Sequence, residues 1–128
     1  MIWCVFDRDD NTNVMLSKAK QLALKEGYQI AFSNPSFEVW FLLHFNNQLT
    51  PVENCEAAIK LLKKKGRLEQ YEKNKEVYDA LKPLQELAIE RGKKRVMTLQ
   101  REHIEVFSRE SNPVTTVAEL VEYLNSKQ

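Results

Sequence analysis

Residues 2–11 read IWCVFDRDDN, an unbroken apolar run that passes directly into polar turn formers. Because both alternating sets of side chains in the run are apolar, it is typical of a central strand in a parallel sheet rather than an edge strand. The Asp, Arg and Asn side chains that follow favour a turn. The sequence therefore predicts a buried strand over residues 2–6, with an acidic turn from Asp7 to Asn11 at its carboxyl end.

The segment after this turn predicts a helix and then a second strand. Gly27 is a suitable residue to end the helix, and residues 28–32 read as a short strand. A strand, a helix and a strand within about 30 residues is the length of a βαβ unit, which places the chain in the α/β class. The helix is indicated by apolar side chains at helical spacing: Met15, Ala19, Leu22 and Ala23.

The next stretch predicts a buried helix. Asn34 is a candidate N-cap, and the following Pro35 is acceptable at the first helical position. Residues 37–45 are apolar almost all the way round, interrupted only by Glu38 and His44. A helix that is apolar on every side is normally buried.

Residues 49–128 read as helical throughout. Thr50 and Thr116 each begin a capping box, Pro83 kinks or breaks a helix that continues towards Phe107, and Asn112-Pro113 is a helix breaker. We expect the first and the last of these helices to bury two sets of side chains: Val52, Cys55, Ile59 and Leu62 in one, and Leu120, Val121 and Leu124 in the other.

The organisation that follows is one domain, residues 1–128, with a βαβ core and buried helix in residues 1–48 and a helical portion in residues 49–128. Two parallel strands alone make a poor sheet, because parallel strands need neighbours and cover on both faces. We therefore expect the missing strands to come from upstream, and the chain to be the C-terminal part of a longer protein.

The composition excludes several classes of protein. The 128 residues carry a net charge of +1 and are 43% hydrophobic, which excludes a disordered tail and a broadly basic coat for nucleic acid. No apolar run approaches the roughly 20 residues that span a bilayer, and no secretory leader is recognisable. Cys4 and Cys55 lie far apart among apolar residues and read as reduced core thiols. These features indicate a cytoplasmic protein.

The acidic turn is the first candidate site. Asp7 and Asp9 follow the carboxyl end of a strand, where ligands bind in open α/β sheets. Two carboxylates at this spacing can approach one hard cation such as Mg²⁺, which polarises a phosphodiester and orients a hydroxide nucleophile. The alternative is that these residues only form the turn and cap the next helix.

Glu38 is the second candidate, because an ionised carboxylate in an apolar helix needs either a partner or an exposed edge. It either pins the start of the helix or acts as a metal ligand or general base beside the acidic turn, since both follow strand ends at the same side of the sheet. His44 and His103 stand alone, and neither forms a zinc spacing with another residue. A structural role is the simpler interpretation of both histidines.

Basic side chains form two candidate phosphate-binding patches. The alternative for each patch is a solvated helix end, with positive charge where the helix dipole favours it. No glycine-rich loop precedes a helix, so nucleotide-binding loops are excluded. The first patch is Lys63, Lys64, Lys65 and Arg67, with Lys73 nearby, and the second is Lys93, Lys94 and Arg95.

One stretch is more specific than any spacing. Residues 33–45, SNPSFEVWFLLHF, closely resemble the signature of the RloB-like family, whose proteins are encoded beside bacterial and archaeal restriction and abortive-infection loci. Residues 5–9, VFDRD, are similar to the DxD segment of that family, and Tyr71-Glu72-Lys73 to its later Tyr-x-Lys element. Residues 112–115 and the helix after them resemble its closing segment, so the resemblance spans nearly the whole chain.

The resemblance implies a Toprim-like fold, in which a DxD and an earlier strand-end Glu serve Mg²⁺ or Mn²⁺. Asp7 and Asp9 match the DxD, whereas the early Glu has no counterpart before Ile2. The catalytic set is then expected to be Asp7, Asp9 and Glu38, with Asp7 and Asp9 as metal ligands. Lys73 would be a phosphate partner.

Three functions remain open at this point. The first is a metal-dependent nuclease of anti-phage defence that acts on DNA or RNA, with this chain inactive alone if the upstream Glu is essential. The second is a non-catalytic regulatory or partner-binding domain, its partner an ATPase or another defence protein. The third is a domain that binds a nucleotide or nucleic acid without cutting it.

Overall fold

The computed structural model describes all residues, 1–128, as one α/β fold that is about half helical. Two 3₁₀ turns, Lys82–Leu84 and Arg109–Ser111, connect longer elements. The strands are β1 (Trp3–Asp7), β2 (Gln29–Asn34) and β3 (Val114–Thr115), and the helices are α1 (Asn13–Glu26), α2 (Glu38–Leu42), α3 (Cys55–Leu62), α4 (Tyr78–Leu81), α5 (Gln85–Arg101) and α6 (Val117–Asn125).

The sheet has the order β1-β2-β3, with β1 parallel and β3 antiparallel to β2. The predicted βαβ start is therefore confirmed. The prediction that β1 is a central strand is wrong within this chain, because β2 takes the central place and Val5 of β1 is 51% exposed. The third strand comes from Val114–Thr115, inside the segment that was expected to be wholly helical.

Helix α1 follows the predicted acidic turn and ends at Gly27, as the sequence predicts. The Thr12 hydroxyl accepts the Met15 N–H, and Gly27 ends the helix in the left-handed region at φ 73°. The predicted buried face is only partly correct, because Leu16 and Ala23 are buried whereas Met15 and Leu22 are exposed. Leu16 packs with Phe32 of β2 and therefore sets which side of α1 faces the sheet.

Helix α2 is shorter than the apolar run predicts and begins at Glu38. Asn34 is not its N-cap, and Pro35 is not in the helix. Instead β2 extends through Asn34, whose buried amide donates to the Ser108 carbonyl at 2.8 Å. This tertiary bond holds the backbone extended up to the bend before α2.

Neither predicted capping box forms. Asn54, rather than Thr50, caps α3, by accepting the Ala57 N–H at 2.9 Å. Thr116 does precede α6, but its hydroxyl accepts the Phe32 N–H of β2 at 2.9 Å and so ties α6 to the sheet.

The later helices agree in part with the sequence. Pro83 lies in the 3₁₀ turn between α4 and α5, which confirms the break, and α5 ends at Arg101, well before Phe107. Leu124, expected on the buried face of α6, is 52% exposed.

Three buried clusters connect the two portions of the chain. The largest joins Ala31 of β2 and Trp40 of α2 to Ala88 of α5 and Val117 of α6. Close packing continues at Gly92 of α5, where a Cβ would lie 3.4 Å from Ala118 Cβ. None of the helices is both long and apolar enough to cross a membrane.

Candidate active site at the carboxyl ends of β1 and β2

The parallel pairing of β1 and β2 brings the two acidic segments to the same edge of the sheet. Asp7 ends β1 in register with Ser33 of β2, and Glu38 begins α2 a few residues later. Asp9 follows in the turn at φ 40°, a left-handed conformation that Asp tolerates better than most residues. Topology thus places Asp7, Asp9 and Glu38 on one side of the fold.

Glu38 is 2% exposed, and its carboxylate is fully engaged by side chains from the second half of the chain. Tyr71 Oη donates to Glu38 Oε2 at 2.7 Å, and Lys73 Nζ donates to Oε2 at 3.0 Å and to Oε1 at 3.3 Å. Cys55 Sγ lies 3.5 Å from Oε1 and 3.3 Å from Lys73 Nζ. We call Glu38, Tyr71, Lys73 and Cys55 the Glu38 cluster.

The hydrogen bonds of the Glu38 cluster determine its charge state. Burial raises the pKa of Glu38, but the Tyr71 and Lys73 hydrogen bonds outweigh it and hold that pKa below its ordinary value. Burial lowers the pKa of Lys73, yet its bonds to Glu38 and Cys55 bring it above the ordinary value. Burial and the Glu38 hydrogen bond both raise the pKa of Tyr71. At neutral pH the cluster is a carboxylate held by a phenol and an ammonium.

The pKa of Asp7, in contrast, is raised above its ordinary value. Burial raises its pKa most, and the nearby negative charges of Asp9 and Glu38 raise it further against the lowering effects of the Phe37 N–H and Lys73. A half-buried carboxylate surrounded by like charge is stabilised by a cation placed next to it. A metal ion bound beside Asp7 would therefore offset the cost of keeping this carboxylate ionised.

The donor set fits a cation held by two carboxylates. Mg²⁺ is usually bound by one or two carboxylates, with waters and substrate phosphates filling the remaining positions. Asp7 and Asp9 meet that requirement. No three His, Cys, Asp or Glu side chains lie close enough together to hold an ion, and both Glu38 oxygens are taken by Tyr71 and Lys73. These contacts favour a positioning role for Glu38 over a ligand role.

A buried hydroxyl lies at the same edge. Ser36 is fully buried, its Oγ makes no hydrogen bond of good geometry, and its proximity helps to lower the pKa of Glu38. The Glu38 carboxylate is therefore the polar group that offsets the cost of burying this hydroxyl.

The basic residues predicted to bind phosphate separate into two groups. Lys73 belongs to the Glu38 cluster, and its side chain remains 56% exposed, so it can also reach a ligand. Lys63, Lys64 and Lys65 are exposed beyond the opposite end of α3, about 12 Å along the helix from Cys55. Arg67 donates to the Leu61 carbonyl at 3.1 Å and closes that turn.

The second basic patch makes structural contacts. Lys93 pairs with Glu122 of α6 at 3.2 Å, and Arg95 donates to the Pro113 carbonyl at 2.8 Å. Lys94 is exposed on α5.

Neither histidine contacts the acidic residues. His44 is 3% exposed, its Nδ1 lies 2.9 Å from the Trp40 carbonyl, and burial lowers its pKa. His103 is exposed in a turn at φ 60°. Both observations agree with a structural interpretation.

Sequence reasoning from spacing alone missed two members of the Glu38 cluster. Cys55 was expected in the apolar core, although both cysteines are indeed free thiols. Tyr71 entered only through the resemblance. No strand or helix period could have paired Tyr71 with Lys73, because the two residues lie in an irregular segment with a turn at Glu72–Lys75.

The comparisons with known proteins concern the whole chain. The sequence model of one family, described as RloB-like protein, matches residues 1–124. No curated protein and no solved structure matches the chain.

Proposed function

This chain belongs to the RloB-like family, and we propose that it is a Toprim-like nuclease that hydrolyses the phosphodiester bonds of DNA or RNA with Mg²⁺ or Mn²⁺. The observation that carries the proposal is the convergence of Asp7, Glu38 and Lys73, distant in sequence, at one edge of the sheet. The family resemblance adds the setting: anti-phage or abortive-infection defence in the cytoplasm, together with an ATPase or another defence protein.

Each residue has a role that follows from its surroundings. Asp7 and Asp9 would hold the cation, which when bound supplies positive charge to the phosphodiester and activates a water molecule. Lys73, whose side chain is 56% exposed, donates to a phosphate oxygen. Glu38 and Tyr71 are positioning residues, because their contacts determine where the Lys73 ammonium lies.

The test is cleavage of single- and double-stranded DNA and RNA by the full-length protein in Mg²⁺ and in Mn²⁺, since the chain of residues 1–128 would be inactive alone if an upstream Glu is essential. Asp7→Asn and Asp9→Asn keep the side-chain size but remove the charge, and we expect each to lower the cleavage rate by about 10²-fold or more. Asp79→Asn, an exposed aspartate of α4, is the matched control and should cleave like the wild type. Cleavage that survives both site substitutions would refute the nuclease proposal.

A second function has its own supporting observation. Lys73 already neutralises the charge of Glu38, and no three His, Cys, Asp or Glu side chains converge on one point. Both features are typical of an ion pair that stabilises the fold rather than of a metal-dependent catalytic site. In that case the domain regulates or binds a defence partner. It would then cleave no nucleic acid with either cation, and Asp7→Asn would leave co-purification with the partner unchanged.

A further inference from the structure

Two arginines converge behind the turn that carries Asp7 and Asp9. Arg8 Nε donates to the Asp9 carbonyl at 3.1 Å, and Arg109 Nη1 donates to the same carbonyl at 3.0 Å. Arg109 comes from the distant 3₁₀ turn and donates from Nη1 to the Asn11 carbonyl at 2.8 Å as well. The fold therefore holds two like-charged guanidinium groups side by side at the candidate active site.

These guanidinium groups have no counter-charge in contact. The three ion pairs of the protein, at N–O distances within 4.0 Å, all use lysines. Arg8 is only 8% exposed. A buried cation without an ion pair is costly, and an anionic ligand bound beside Arg8 would offset that cost.

Several donors of the pair remain free. Arg8 uses Nε and Nη2, the latter on the Glu53 carbonyl at 3.0 Å, and Arg109 uses only Nη1. Arg8 Nη1 and Arg109 Nε and Nη2 have no partner. Planar guanidinium donors match the geometry of phosphate oxygens, to which they often bond in pairs.

The position of Arg109 is fixed by its backbone. The Arg109 N–H donates to Asn13 Oδ1 at 2.8 Å, which joins the 3₁₀ turn to the first turn of α1. That first turn carries no acidic residue. Glu110 is exposed, bonded to the Asn13 amide, and makes no ion pair with Arg109. The free donors of Arg109 thus extend from a turn that hydrogen bonds tie to the start of α1.

We propose that Arg8 and Arg109 form a phosphate-binding subsite that takes a backbone phosphate of nucleic acid adjacent to the one at Asp7 and Asp9. This proposal rests on the proposed function and identifies Arg8 and Arg109 as residues that bind the nucleic-acid strand. They are not the lysine patches expected from the sequence. The same donors would also take a free phosphate, and the test separates these two sources.

The experiment measures binding of a fluorescein-labelled single-stranded oligonucleotide by anisotropy, in EDTA and over a series of salt concentrations. Arg109→Gln should weaken binding about tenfold and lower the slope of log K against log salt by about 0.7, the effect of one lost phosphate contact. Arg109→Lys should recover part of the affinity. Arg101→Gln, an exposed arginine at the end of α5, is the control and should bind like the wild type.

Inorganic phosphate is then added as a competitor. Displacement of the oligonucleotide by phosphate, lost in Arg109→Gln, identifies a subsite for free phosphate, whereas no displacement identifies one that needs the strand. Equal binding by Arg109→Gln and Arg101→Gln, or no binding by the wild type, would overturn the subsite. Because EDTA removes the cation, this result is independent of cleavage and of its loss in Asp7→Asn.

Discussion

Replacing Tyr71 by Phe removes one hydroxyl and keeps the ring, so it isolates a single hydrogen bond of the Glu38 cluster. Tyr71 is 4% exposed, and its Oη donates to Glu38 Oε2 at 2.7 Å. A hydrogen bond to a charged group contributes about 1.5–3 kcal/mol, and the buried carboxylate would keep only Lys73 as a strong partner. We expect Tyr71→Phe to lower the free energy of unfolding by about 2 kcal/mol at about pH 7.

The loss should depend on pH. The folded-state pKa of Glu38 lies below the ordinary value of a glutamate, so the stability that ionised Glu38 contributes is present above that ordinary value and is lost as pH falls through the folded pKa. Tyr71→Phe removes one cause of that lowering and moves the folded pKa upwards. At an acidic pH at which the carboxyl is protonated, the cost should shrink to about 1 kcal/mol, the value of a neutral hydrogen bond.

Urea denaturation followed by circular dichroism at both pH values measures these differences. Tyr78→Phe is the matched control, because Tyr78 is 49% exposed and its hydroxyl makes no hydrogen bond in the structure. The control should change stability by less than about 0.5 kcal/mol. A Tyr71→Phe cost equal to that of Tyr78→Phe, or a cost that grows on acidification, would refute the electrostatic account of the cluster.

Three further substitutions test other parts of the account. Lys73→Met should lower the cleavage rate by about 10²-fold while Mn²⁺ binding stays at the wild-type level, and a parallel loss of Mn²⁺ binding would contradict the phosphate role. Leu16→Ala should lower the free energy of unfolding, measured by urea denaturation, by about 2–5 kcal/mol, whereas the control Met15→Ala should lower it by less than about 0.5 kcal/mol. Equal losses would mean that α1 packs by its other side. Gly92→Val should lower the free energy of unfolding by about 1–3 kcal/mol, because the new Cβ would lie 3.4 Å from Ala118 Cβ and would carry two further methyl groups. An unchanged melting temperature would show that α5 and α6 are packed less closely.

The βαβ start was predictable because local signals there agree with the tertiary structure. The apolar run of β1, the Thr12 and Gly27 ends of α1, and β2 all depend on residues close in sequence. The buried side of α1 was not predictable, since Met15 and Leu22 have the same spacing of seven as Leu16 and Ala23. Only packing against Phe32 decides between the two sides.

Features that depend on distant contacts escaped the sequence. Strand β3 has two residues, too few to show a period, and exists because β2 offers a free edge. Thr116 likewise gives α6 no side-chain cap, because its hydroxyl accepts a hydrogen bond from the distant backbone of β2.

The candidate site likewise has parts that follow from local sequence signals and parts that depend on distant contacts. Asp7 and Glu38 could be placed at one edge, because parallel strands end on the same side of a sheet. Lys73 could be named as a neighbour of the first basic patch, but its contact with Glu38 could not be predicted, because the two residues are far apart in sequence and α3 lies between them. The position of Lys63 depends on the direction of α3, which no local pattern determines.

The central claim is that Asp7 and Asp9 hold a divalent cation, and Mn²⁺ binding measures it most directly. The fall of the free Mn²⁺ signal in electron paramagnetic resonance gives the affinity and the number of ions per chain. We predict one ion for the wild type and for Asp79→Asn, with binding at least about tenfold weaker in Asp7→Asn and in Asp9→Asn. Equal Mn²⁺ binding by all four proteins, or none by the wild type, would contradict the claim.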